Sequence, residues 1–471
     1  MNLNLAPAQM SHEQLLELVR QLVADNARLR GEIENLKRKN ARSAAPFSKN
    51  KPKKNPQPAG RKPGQGTFRN RPAPSQEQYT EPVEDVPVLM TACPDCGGEL
   101  IEAGEEIVTN TELPPVPKPE VKAYRVHIRC CADCQRTVRG RHRAVAPDQF
   151  GATAHRLGPR AQAAGATLHY GDGIPQRKVP RVLKSLTGLS VTQGALTQTA
   201  LRLGTGQGPV ARQYRQLRDQ IKEQPAINTD DTGWRVGGKP AQMMVFESQP
   251  VVVYQIRSRH RNEEVREVIG DHYEGTLCTD RGKSHDAKEL NDVDQQKCLS
   301  HILRSIDAVL ETKHGQARFF GEVLKSELKE AIELYKSFHD PDRKLRHYER
   351  CVRALELEVD WHLRARQLTD RDNQRLLNEI GRHHERGNLL RFPHQPMTVE
   401  PTNNAAERAL RPAVIARKVS QCSKNEDGAK AYSAFKSVLG TLKKSGGDVL
   451  EKLTRLIAPP LPPEPVPANT S

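Results

Sequence analysis

The sequence predicts a multidomain α+β chain, and three observations carry that prediction. Residues 226–280 gather β-branched and aromatic residues into short strand-like runs, and the segments on either side repeat apolar residues at helical spacing. Two Cys-x-x-Cys pairs upstream mark a small separate module. A length of 471 residues is enough for roughly two to four domains. The chain holds 73 Lys+Arg against 57 Asp+Glu, a net charge of +16, which points to a polyanionic partner such as nucleic acid. No stretch approaches the roughly 18 consecutive apolar residues of a membrane span. The opening MNLNLAPAQMSHEQ has no basic segment followed by an apolar core, so a cytoplasmic protein is expected, without a membrane partner.

In chain order, residues 12–39 read as a leucine-zipper-like coiled coil. Leu15, Leu22, Leu29 and Leu36 recur every seven residues, and Val19, Asn26 and Ile33 fall four after the first three. A polar Asn26 among apolar seam positions is the device that fixes register in a parallel pair, so a homo-oligomer is expected. A packed amphipathic helix without a partner would show the same spacing. Residues 40–87 read as a basic disordered linker, since 35–76 hold twelve Lys/Arg, seven Pro and no acid. Such a segment either attracts phosphates weakly or is a plain solvated tether.

Residues 88–140 read as a zinc-finger module. Cys93-Pro-Asp-Cys96-Gly-Gly and Cys131-Ala-Asp-Cys134 supply four thiolates, which suit a closed tetrahedral, structural Zn2+ site; Cys130 is a fifth thiol. Residues 150–222 read as helical. Within them, 176–203 outline two helices meeting at Thr187-Gly188-Leu189-Ser190, with Ser190 as the second N-cap. The outline fits a helix-turn-helix DNA reader and equally a plain helical hairpin.

Residues 223–301 then supply strands AINTDDTGWRV, AQMMVFES, VVVYQIRSR and, after a helix near 262–270, GTLCTD. That order resembles the start of a ribonuclease H-like core. Residues 302–395 read as an all-helical insertion, 396–457 as the end of the core with C-terminal helices, and 458–471 as a disordered Pro-rich tail. The pair His383-His384 reads as a solvated helix end. Trp234 reads as core, with base stacking as the competing role.

Three carboxylates stand out by context. Asp230 lies at the end of the predicted first strand, Asp280 ends the fourth, and Glu407 sits on the helix opened by Pro401-Thr402-Asn403-Asn404. Carboxylates at strand ends facing a helix can hold two hard divalent ions, Mg2+ or Mn2+, with open positions for phosphoryl transfer. Side chains alternate along a strand, so only one of Asp230 and Asp231 is expected to face Asp280, and Asp230 is assigned. On the helix, Asn403, Asn404, Glu407 and Arg411 fall on one face. Arg411 is placed to bind a phosphate, and Arg408 beside Asn404 is a second DNA-binding candidate.

DDTGWRVGGK (230–239), TDRGKSHDA (279–287), CLSHILRSI (298–306) and above all PTNNAAERALRP (401–412) together give the chain a family likeness. With GRKPG (60–64) and CPDCGGEL (93–100) in the same order, it resembles the IS-sixty-six family of bacterial insertion-sequence transposases, within the DDE superfamily. The resemblance implies that Asp230, Asp280 and Glu407 are a metal-binding catalytic triad for DNA cleavage and strand transfer. It also implies DNA partners (element terminal repeats and target) and accessory proteins of the element. Three positions depart from the family pattern. Asp231 stands where Glu is usual, Arg281-Gly282 replaces glycine and an aromatic, and Leu-Ser replaces Trp-Ala between Cys298 and His301. Arg281 is expected either to bind a phosphate or to weaken ion binding. Cys298 and His301 read as packing or DNA positioning. The alternative for the whole chain is a catalytically inactive DNA-binding protein or regulator derived from a transposase; a nuclease that cuts without transfer is a third reading.

Overall fold

The computed structural model describes residues 74–458, except Pro114, Arg143, Pro147, Lys283, His339 and 341–343, together with part of 11–31. The chain divides into two units, Met1–Leu113 and Pro114–Ser471, so the boundary falls inside the segment read as one cysteine module. In the first unit the described residues between His12 and Gly31 are helical, and Val19 and Leu29 of the heptad pattern are exposed. Leu15, Leu22, Ile33 and Leu36 lie outside the described residues, as do most of the basic linker and the Pro-rich tail beyond Ala458.

The second unit opens with an antiparallel hairpin of β1 (Ile128–Cys130) and β2 (Thr137–Arg139), whose turn carries Cys131 and Cys134. Four helices follow: α1 (Pro159–Ala166), α2 (Val179–Thr187), α3 (Gln193–Gly204) and α4 (Pro209–Lys222). Gly188 ends α2 at φ +69, a left-handed turn that glycine adopts without strain. The expected N-cap is corrected here. Thr192, not Ser190, starts α3, its side chain accepting from the Ala195 N–H at 3.1 Å.

Next comes a five-stranded sheet of β3 (Ala226–Val236), β4 (Lys239–Glu247), β5 (Val252–Arg257), β6 (Thr276–Thr279) and β7 (Gln295–Lys297). A helix, α5 (Asn262–Ile269), joins β5 to β6. The order is β5-β4-β3-β6-β7, with β3–β4 and β4–β5 antiparallel and β3–β6 and β6–β7 parallel. The first four strands follow the sequence reading. The fifth was not anticipated, because Gln295-Gln296-Lys297 has no apolar residue although all three are buried.

The chain then forms α6 (Leu299–Leu310), α7 (Gln316–Ser337), α8 (Leu345–Leu363) and α9 (Arg371–Glu385), which bury a core of their own. It returns as α10 (Asn404–Ser420), α11 (Glu426–Lys444) and α12 (Val449–Ile457), packed with α1, α3 and α4 on the sheet core. Among the described residues no helix is long and apolar enough to cross a membrane.

β5 is an edge strand, and α11 covers it. The Tyr254 and Val252 N–H groups donate to Ser437 Oγ (2.7 Å) and Thr441 Oγ1 (3.1 Å), which satisfies an edge that would otherwise invite pairing. So close an approach needs Gly440 between them, where an added Cβ would meet Val252 Cγ1 at 2.5 Å. Valine is stiff at that position, so Gly440→Ala is expected to lose about 1–3 kcal/mol in denaturant unfolding. An unchanged midpoint would show that the helix can lift away freely.

Candidate active site

Asp230 lies on β3, the central strand, opposite Val245 of β4, and Asp280 follows the end of neighbouring β6. Residues 226–228 pair in parallel with 276–278, so the two strands run the same way and bring Asp230 and Asp280 to the same level of the sheet. Glu407 arrives from α10, which β3 and β5 hold in place. Asn403 Nδ2 donates to Thr229 O at 2.7 Å, Tyr254 Oη to Ala409 O at 2.6 Å, and Arg417 to Thr232 Oγ1 at 3.1 Å and to Gly233 O. Asn403 is fully buried while Asn404, Arg408 and Arg411 are exposed, so the face foreseen on α10 runs from an inward anchor outward to solvent.

The carboxylates sense one another. Burial raises the Asp230 carboxyl from its usual 3.8 to about 6; the negative charges of Asp280, Asp231 and Glu407 add to this, against the Asp231 N–H that it accepts. Asp280 goes the other way. Burial opposes its ionisation, but contact with His285, the Gly282 N–H (2.8 Å) and the charges of His285 and His301 hold it at about 2. His285 Nδ1 stands 3.4 Å from Asp280 Oδ1 without the alignment of a hydrogen bond, so the contact is chiefly electrostatic.

Asp231 is also raised, first by burial, and it too feels Asp280. Both neighbouring aspartates therefore feel the charge of Asp280, which sits past the end of β6. What separates the two is their other neighbours. Asp230 feels Glu407, whereas Asp231 Oδ1 faces His260 Nδ1 at 3.6 Å, and His260 Nε2 lies 3.2 Å from Ser284 Oγ.

Glu407 lies 3.8 Å from His301 Nε2 and 3.7 Å from Arg304, two residues three apart on α6. Arg304 was not anticipated; its spacing from His301 was the available signal. Cys298 is buried, and its sulfur accepts the Asn403 N–H at 3.1 Å. Burial would push that thiol up, yet His301 and Asn403 outweigh it and draw it down. The Cys298-x-x-His301 pair thus ties α6 to the start of α10.

Two sequence readings are corrected. Arg281 is not free for a phosphate: it pairs with Glu379 of α9 at 2.8 Å and also donates to His301 O and Ser305. His383 is not solvated but 1% exposed; burial and then the Lys297 charge push it down to about 4. His384 pairs with Asp360 at 2.6 Å. Both histidines face protein because α9 packs against α8, α6 and α7. Trp234 is core, with Nε1 donating to Ser423 Oγ at 3.1 Å.

Among the described residues, no three His, Cys, Asp or Glu side chains converge into a finished metal cage. The donors at Asp230, Asp280 and Glu407 are nonetheless hard oxygens, and the charges of Asp280, Asp231 and Glu407 that add to the effect of burial on Asp230 are ones a cation would relieve. In the cysteine segment each Cys-x-x-Cys forms its own tight turn. Gly97 N–H reaches Cys93 O (2.8 Å) and Gln135 N–H reaches Cys131 O (3.1 Å). Neighbouring N–H groups, first those of Cys96 and Cys134, lower the Cys93 and Cys131 thiols, the direction that favours thiolate ligation.

A search of curated proteins finds no match to the chain. Compared with protein families, residues 155–431 match the family described as Transposase IS66 family, from just before α1 into α11 and so across the whole sheet, the helical insertion and α10. That match spans more than half of the chain, and the protein belongs to the IS66 family of transposases.

Proposed function

We propose that the protein is a DDE-type DNA transposase in which Asp230, Asp280 and Glu407 bind two Mg2+ or Mn2+ ions and act on phosphodiesters. The observation that carries this is that Asp230 on the central strand of the β5-β4-β3-β6-β7 sheet feels the charges of both Asp280, just past neighbouring β6, and Glu407, three acids from distant parts of the chain. That strand order, antiparallel then parallel, supports the ribonuclease H-like reading of the core. Divalent ions at such a site polarise phosphate oxygens and make a nucleophile of water or a hydroxyl.

The protein residues supply position and charge. Asp230 and Asp280 offer ligand oxygens from a rigid sheet, and Glu407 from a helix pinned to β3. Arg408 and Arg411, exposed beside Glu407, hold DNA phosphates. Water attacks a phosphorus at the element end, the P–O3′ bond breaks, and the element keeps a 3′-hydroxyl. That hydroxyl then attacks a target phosphodiester, whose own 3′ oxygen leaves with a proton, so one phosphodiester forms as one breaks. Asp231, turned to His260, stands outside the ligand set. The pairs Cys93 with Cys96 and Cys131 with Cys134 would each offer thiolates to structural Zn2+, and the N-terminal heptads would pair two copies.

The test uses a labelled duplex carrying the flanking element ends, incubated with Mg2+ or Mn2+. Wild type is expected to produce 3′-hydroxyl ends that join target DNA. Asp230→Ala, Asp280→Ala and Glu407→Ala should each lose at least roughly a hundredfold in rate, with end binding kept. Wild-type binding without cutting, matched by all three variants, would instead establish an inactive DNA-binding protein.

A further inference from the structure

α8 of the helical insertion has a use that the catalytic site does not absorb. Arg346, Arg350, Arg353, Leu357 and Trp361 recur at steps of four, three, four and four, which places them on one narrow face of the helix, and Arg364, three further on, caps its C-terminal end. All six are exposed. Leu357 and Trp361 leave 69% and 60% of their surface in solvent, a large cost for a helix that buries Val352, Leu355 and Val359 on its other side. The stripe itself contains no acid. Of the acids that border it on α8, Glu356 and Asp360 are turned to His394 (2.5 Å) and His384 (2.6 Å), and Glu349 and Glu358 fall on opposite flanks. The Arg364 guanidinium lies 5.0 Å from the Trp361 ring centre and that of Arg366 lies 5.7 Å from it, so cations already frame the indole.

We infer that this face of α8 is a DNA-binding surface, with phosphates along the four arginines and an unpaired base stacked on Trp361. Resting on the reading of the chain as a DNA transposase, the inference adds a contact on the insertion, away from the carboxylates. From Arg346 to Arg364 the stripe runs about 27 Å, the axial length of roughly eight base pairs. Arginine suits phosphate by its planar fork, and a flat aromatic face takes any base without sequence preference. An apolar protein partner would not call for four arginines in line. The chain has two tryptophans, and the other, Trp234, is buried at 3% exposure, so stacking falls to Trp361.

The same count gives the test. With no Mg2+ or Mn2+ added, so that nothing is cut, wild type and Trp361→Phe are titrated with an element-end duplex bearing a short single-stranded extension, and with its blunt counterpart. The difference between the two proteins isolates Trp361 fluorescence. Strong quenching by the extended duplex, less by the blunt one, is expected, with affinity for the extended duplex falling roughly tenfold in Trp361→Phe or Trp361→Ala. Arg350→Ala/Arg353→Ala should lower the slope of log affinity against log salt by about two. All these positions are exposed, so thermal unfolding should match wild type.

DNA binding in which Trp361 emission stays fixed and the arginine variant keeps the wild-type affinity and slope would overturn the surface and leave the transposase reading standing. So would unchanged DNA affinity with lost self-association, which would make the stripe an interface between copies. Absence of any DNA binding by wild type would sink both.

Discussion

Lys297→Met is expected to cost about 3 kcal/mol in denaturant unfolding, among the largest losses for any single substitution near the site. Lys297 is fully buried, and its ammonium meets Asp286 Oδ1 at 2.7 Å, Gln295 Oε1 at 2.9 Å and Thr279 Oγ1 at 3.2 Å. Three acceptors match three N–H bonds, so the charge is affordable only as a complete set. Removing the lysine leaves Asp286 charged and poorly solvated. Removing both charges should recover most of the loss, because replacing a buried pair by neutral groups is often near neutral. Lys297→Met/Asp286→Asn is therefore expected to be more stable than Lys297→Met. The reverse order would show that Asp286 is satisfied without the lysine. The same ammonium ties Thr279, just before Asp280, to Asp286 at the far end of the loop, so loss of the pair should also loosen Asp280.

Asp230→Asn and Asp280→Asn are expected to move stability in opposite directions at pH 8 in EDTA. Asp230 has a folded pKa raised from 3.8 to about 6, so what it contributes is full below about 3.8 and is lost as pH rises through about 6. Asparagine never ionises and should stabilise the cation-free protein by about 1–2 kcal/mol above that range, with little effect near pH 4. Asp280 is depressed from 3.8 to about 2, so its contribution is full above about 3.8 and is lost as pH falls toward 2. Because it is about a third exposed, Asp280→Asn should cost only about 1 kcal/mol at pH 8. Thermal unfolding of the two variants against wild type at both pH values checks this. Shifts of the same sign at pH 8 would mean that the two carboxylates do not occupy the contrasting environments described.

The difference between these neighbours shows what the sequence could and could not supply. Asp230, Asp280 and Glu407 could be singled out because each sits in a distinctive local word, and four of the sheet's strands were legible because they carry β-branched and aromatic runs. β7 was not, since Gln295, Gln296 and Lys297 are polar and become interior only by bonding to distant groups. Gln296 Nε2 reaches Leu389 O, and its Oε1 accepts from Arg391 and Phe392. His383 failed for the same reason: its burial comes from α9 packing near Lys297 and Asp286, contacts roughly a hundred residues away in sequence. Arg281 was misjudged because Glu379, its partner, lies across the insertion. Ser190 lost the cap to Thr192 two residues later, within the uncertainty that helix ends carry. Short-range chemistry was readable from the sequence, and long-range polar pairing was not.

The central claim is that three carboxylates act as one cation site, and calorimetric titration of the purified protein with Mn2+ tests it without knowledge of the element ends. Wild type should bind about two ions, and Asp230→Ala, Asp280→Ala and Glu407→Ala should each weaken binding by at least roughly tenfold, while Asp231→Asn stays near wild type. Equal Mn2+ binding by wild type and all three alanine variants would contradict the triad, and loss confined to Asp231→Asn would move the site one residue along the strand.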